Sequence, residues 1–124
     1  MTKRTILAAM TAICCATAAW AAEPAMMKDT SAGKAYVDGK GMTLYTYDQD
    51  GPGMSNCYDK CAVNWPPFMA EAGAKAEGEW TLVSRKDGTM MWAYEGKPLY
   101  TFIKDKKPGD VTGDGVGGVW HIAN

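Results

Sequence analysis

Histidine is nearly absent: His121 is the only one in 124 residues. That scarcity removes the commonest proton carrier for acid–base catalysis near neutral pH. No G-x-S-x-G elbow, phosphate-binding glycine loop, paired-carboxylate site or nucleophile–base couple stands in the chain. The sequence therefore points away from an enzyme. An excess of one charge is also missing, since thirteen Lys/Arg stand against fourteen Asp/Glu. Without a basic stripe, nucleic acid is not an expected partner. The C-x-x-C-H pattern of haem attachment does not occur. Beyond residue 20 no long hydrophobic run remains, so no membrane span is expected in the body of the chain.

The one apolar run opens the chain and reads as an export signal. Lys3 and Arg4 precede the apolar stretch from Ile6 to Trp20, and Ala19-Trp20-Ala21 has the small-x-small form of a cleavage site. Residues 1–21 are thus expected to be a signal peptide, with a mature chain starting at Ala22. Cys14 and Cys15 lie inside that run, preceded by Ile13 and Cys14. A lipid-attachment site wants a small residue there, so a lipid anchor is disfavoured. The remaining 103 residues suffice for one small domain and would lie in the periplasm or outside the cell. Lys3 and Arg4 leave with the signal, so eleven basic residues face fourteen acidic ones, a mildly acidic balance.

Cleavage also halves the cysteine count, leaving Cys57 and Cys61. In an oxidising compartment their default is a structural disulfide, and closing so short a loop is worth about 2 kcal/mol on the chain-entropy model. A cycling redox pair competes with that reading, although its spacing is one residue longer than C-x-x-C. Soft-metal binding competes too, because two thiolates with His121 or a methionine thioether suit Cu(I).

What the chain has in place of catalytic signals is a phrase used twice. Gly41-Met42-Thr43-Leu44-Tyr45-Thr46-Tyr47-Asp48-Gln49-Asp50 returns as Gly96-Lys97-Pro98-Leu99-Tyr100-Thr101-Phe102-Ile103-Lys104-Asp105. The same offset carries Trp65 onto Trp120. Short alternating segments bounded by Asp-Gly and Gly-x-Gly turns read as strands at 34–38, 42–47, 80–84, 89–94, 99–103 and 119–122. Ser55 is placed to cap a short helix over 56–63, stopped by Trp65-Pro66-Pro67. Residues 22–33 read as a flexible tail. The expected architecture is mostly β, a small antiparallel domain over 34–124. Two hairpin-containing repeats, about 34–68 and 80–122, build it, with one short helix near the cysteines. A lone hairpin is marginal in water, so the repeats are expected to share one core, with Tyr45, Tyr47, Trp65, Trp92, Tyr100, Phe102 and Trp120 supplying much of it.

The two phrases fit Y-x-[FWY]-x-x-D, as Tyr45-x-Tyr47-x-x-Asp50 and Tyr100-x-Phe102-x-x-Asp105. Together with Cys57, Cys61, Trp65-Pro66-Pro67, Gly96-x-Pro98-Leu99-Tyr100 and Trp120-His121, they resemble the bacterial secreted-repeat proteins often described as lipoproteins of unknown function. The resemblance runs from about Ala35 to Ile122. It implies an exported domain of the cell envelope and carries no established activity, hence no catalytic residues. The chain departs from lipid-anchored relatives in lacking the lipid-cysteine context.

The remaining candidates are weighed against plainer roles. Asp48-x-Asp50-Gly51 and the stretch from Asp110 to Gly115 hold only fragments of a calcium loop, so solvated turns are expected. Asp50 and Asp105 are expected to cap the loop backbone after each strand. Met26, Met27, Met42, Met54, Met69, Met90 and Met91 form no M-x-x-M series. The leading functional expectation is a non-enzymatic periplasmic or secreted binding module, or one associated with an envelope partner. The alternative is a copper-binding or oxidant-responsive protein using Cys57, Cys61, His121 and methionines.

Overall fold

The computed structural model describes residues 23–124. The expected signal peptide, with Cys14 and Cys15, lies outside the described residues. Among the described residues seven short strands form three small antiparallel sheets, with one α-helix of five residues and one 3-10 turn at Val116–Gly118.

Each repeat begins with a hairpin. In the first, β1 (Met26–Thr30) pairs with β2 (Gly33–Val37), Met27 lying opposite Tyr36. This corrects the expectation of a tail over 22–33. β1 was illegible because its side chains are mostly exposed and carry no apolar alternation. The turn makes it possible: the Thr30 hydroxyl donates to the Gly33 carbonyl at 2.6 Å and accepts the Ala32 N–H, while Gly33 takes φ +111°. In the second repeat β4 (Trp80–Ser84) pairs with β5 (Met90–Tyr94), which also carries β6 (Lys97–Pro98). Asp87 shapes that turn by accepting both the N–H and the hydroxyl of Thr89.

The repeats meet at their tyrosines. β3 (Tyr45–Tyr47) pairs on one side with β7 (Trp120–Ile122). On its other side Tyr45 exchanges both backbone hydrogen bonds with Tyr100, at 2.7 and 3.0 Å. Tyr100 in turn bridges to Pro67, as Tyr45 pairs with Ile122. The expected strand 99–103 is therefore reduced to isolated bridges. Its neighbour is Trp65-Pro66-Pro67, where two residues lack the N–H a ladder needs.

The helix α1 spans Lys60–Asn64, later than the expected 56–63. Ser55 does not cap it; Asp59 stands at the cap with φ 57° and no side-chain cap bond. The helix ends where the Trp65 N–H reaches the Cys61 carbonyl at 2.7 Å and Pro66 follows. The interior divides into two clusters. One gathers Tyr45, Cys57, Trp65, Val83, Met91, Ala93, Tyr100, Phe102 and Trp120. The other holds Ala25, Tyr36, Leu44, Trp80, Leu99 and Ala123. The β4–β5 hairpin serves both, because alternation sends Val83, Met91 and Ala93 to the first cluster and Trp80, Trp92 and Tyr94 to the second.

Candidate functional site

The repeated tyrosines and aspartates form two crossed locks. The Tyr45 hydroxyl donates to Asp105 Oδ2 at 2.6 Å, and the Tyr100 hydroxyl donates to Asp50 Oδ2 at 2.7 Å. Each tyrosine thus grips the aspartate of the other repeat. The second oxygen of each aspartate ties down the loop that follows it. Asp50 Oδ1 accepts the Asn56 N–H at 2.7 Å, and Asp105 Oδ1 accepts the N–H and hydroxyl of Thr112. Burial, reinforced by the facing carboxylates, pushes both phenol pKa values well above the ordinary tyrosine value. Burial also raises Asp50, against the opposing pull of its hydrogen bonds to Tyr100 and Asn56 and of the Arg85 charge.

The aromatic rings cross in the same way. Trp65 and Trp120 stack at 3.7 Å, nearly parallel. Trp65 stacks outward on Phe102 at 3.9 Å, and Trp120 on Tyr47 at 4.3 Å. The order Tyr47–Trp120–Trp65–Phe102 therefore alternates between repeats. Tyr45 meets Trp65 edge-on and Tyr100 meets Trp120 edge-on, the quadrupole-favoured arrangement. All eight repeat-motif residues singled out in the sequence lie in this assembly, where each is held by packing or internal hydrogen bonds.

One side of the assembly has an addition without a counterpart. Arg85, from the β4–β5 turn, is buried and donates to Ser55 Oγ at 2.9 Å and to the Cys57 carbonyl at 2.8 Å. Its guanidinium lies 4.2 Å from the centre of the Tyr58 ring. Ser55 lies 2.6 Å from the Tyr100 hydroxyl; with the phenol proton given to Asp50, the serine is the donor. Ser55 is thus spent on this network instead of on α1.

Cys57 and Cys61 are joined by a disulfide that ties the Ser55–Cys57 loop to the first turn of α1. His121 is not brought to them. It alternates with Trp120, so its ring leaves the core and sits 2.8 Å from Asp48 Oδ2 on the surface. Among the described residues no three of His, Cys, Asp and Glu gather as a metal site. Met26, Met27, Met54, Met69 and Met90 are exposed, whereas Met91 is buried against Arg85.

A further constellation lies apart from the motif residues, and no motif in the sequence marks it. A groove of about 860 Å³ runs between the aromatic face of the β4–β5 hairpin and the segment 73–79. Trp80, Trp92, Tyr94 and Tyr36 line it, together with Glu23 and Pro24. Tyr36 packs edge-on to Trp80 at 5.2 Å and tilted to Tyr94 at 4.7 Å, and Trp80 lies 4.8 Å from Tyr94. The rings meet at steep angles and make a concave aromatic corner. Glu77 folds the strip back by pairing with Trp80, its N–H donating to the Trp80 carbonyl. The alternation Trp80-x-Leu82 and Trp92-x-Tyr94 was the available signal, since it puts rings on a single hairpin face. Nothing in the sequence said that this face would stay partly uncovered.

The chain belongs to a family described as a secreted repeat of unknown function, whose model matches twice, over residues 26–69 and 81–124. The two matches begin 55 residues apart, and the first starts at Met26, inside the segment expected to be a tail. No curated protein and no solved structure matches the chain.

Proposed function

We propose that this secreted repeat is a non-enzymatic binding module of the periplasm or extracellular space, and that the aromatic groove beside Trp80 and Trp92 is where it binds. The signal reading of residues 1–21 supports the location. The observation that carries the binding reading is the groove itself. Its volume, about 860 Å³, falls in the range of small-molecule sites, and aromatic walls with a few polar groups are the usual composition of such sites. The motif residues have a different task. Tyr45, Tyr100, Asp50 and Asp105 are engaged with one another, so they hold the scaffold on which the groove is displayed.

A small organic ligand entering the groove would contact the half-buried faces of Trp92 and Tyr94. The neutral dye Nile red tests this. Its emission is expected to rise on adding the protein, and the rise is expected to fall at least fivefold with Trp92→Ala, compared at a temperature at which circular dichroism shows both proteins folded. An equal response from the variant sinks the reading.

A further inference from the structure

We infer that the groove selects a small organic cation of the quaternary ammonium class over an uncharged molecule of the same shape. This inference rests on the binding reading above and adds the class of ligand.

Two independent features lead to it. The first is the wall. Tyr36, Trp80 and Tyr94 have centroids 4.7 to 5.2 Å apart, with planes inclined by 52° to 81°, and Trp92 stands at 87° to Trp80. Of these rings Tyr36 and Trp80 are nearly buried and Trp92 and Tyr94 half-buried, so the groove meets chiefly the π surfaces of Trp92 and Tyr94. The faces carry the negative part of the ring quadrupole, so a cation within about 6 Å of a centroid is attracted and an uncharged isostere is not. The second feature is the rim. Glu23, Glu77 and Glu79 line the groove and are exposed, whereas Lys75 is the only basic residue among its lining residues. Glu95 adds to the field, because its charge and that of Glu23 both act on the Tyr36 hydroxyl. That hydroxyl is pushed up to about 12, chiefly by the neighbouring Tyr94 hydroxyl, then by burial, with the two carboxylates adding to it. An anionic ligand would meet repulsion from the same groups. A plain sugar would stack on the rings and donate hydroxyl protons to the carboxylates, but would gain no charge attraction from the acidic rim.

Choline provides the test, set against its uncharged carbon isostere, in which a tert-butyl group replaces the trimethylammonium. The two share shape and apolar area, so their difference isolates the charge. Both are titrated into the purified protein while the indole and ring signals of Trp80, Trp92 and Tyr94 are followed by NMR. Choline is expected to bind about tenfold more tightly, within the span that cation–π contacts supply. The preference is expected to shrink in high salt and in Glu77→Gln/Glu79→Gln, while the isostere's affinity stays unchanged. Equal affinities for the two ligands overturn the cation inference and leave the binding module standing. Nile red binding without a response to choline does the same. Failure of all three probes removes the module reading together with the inference.

Discussion

The side chains that matter most to this fold are those whose partners lie in the other repeat. Asp105 is buried and receives the Tyr45 hydroxyl, so deleting that hydroxyl leaves a carboxylate oxygen without its donor. Tyr45→Phe is expected to cost about 1–3 kcal/mol, and Tyr100→Phe a similar amount, read as a lower urea midpoint at unchanged slope. Titration gives a second test. The folded pKa of Tyr45 and Tyr100 lies above the ordinary value of 10.0, which the unfolded chain keeps. Their contribution is therefore complete below that value and is lost as pH rises beyond it, because only the unfolded chain then releases the protons. These two phenols are expected to ionise only as the fold is lost. Near-ultraviolet phenolate absorbance checks this; ionisation of either in protein that keeps its native circular dichroism contradicts it. Gly113 supplies a third residue-scale test. A Cβ there would sit 2.8 Å from Trp65 and 2.9 Å from Tyr45, both in the packed interior. Gly113→Ala is expected to cost about 1–3 kcal/mol by overpacking, whereas Gly39→Ala, with nothing within 4 Å, is expected to be nearly silent in the same thermal melts.

At the scale of elements, the disulfide acts on a loop rather than on the whole domain. It links Cys57 to the start of α1, a helix of five residues with no side-chain cap bond. Such a helix is too short to persist without tertiary support. Reduction, or Cys57→Ala with Cys61→Ala, is expected to lower stability by about 2 kcal/mol and to raise amide exchange chiefly over 55–64. Loss of protection throughout the β4–β5 hairpin would show that the bridge holds much more than its loop. The cysteine pair and the hairpin β4–β5 were legible because oxidising chemistry and strict alternation each leave a local mark. β1 and Ser55 were not. β1 is a polar edge strand, defined by pairing with β2 and by the Thr30–Gly33 turn. Ser55 has the local look of a helix cap, yet Arg85 and Tyr100, thirty and forty-five residues away, claim its hydroxyl. Tertiary partners outbid a local preference that is worth only about 1 kcal/mol.

At the scale of the molecule, the doubled phrase announced two units and a common interior, but not how the units divide it. Sequence periodicity cannot tell whether a tyrosine bonds the aspartate five residues ahead or its copy on the other repeat. The structure answers with exchange at the locks and in the stack: Tyr45 with Asp105, Tyr100 with Asp50, and stacked rings alternating between repeats. Backbone bonds follow the same rule, since the Phe68 N–H reaches the Leu99 carbonyl and the Ala123 N–H reaches the Leu44 carbonyl. A single repeat therefore owns half of each tyrosine–aspartate lock and of the tryptophan stack, and a chain of about 45 residues buries too little surface to fold without help. Peptides covering 23–69 and 78–124 are each expected to lack dispersed amide resonances, and to recover them only when mixed. A cooperative unfolding transition in either peptide alone would show that the unit of folding is the repeat, and that the crossed locks join two domains already formed.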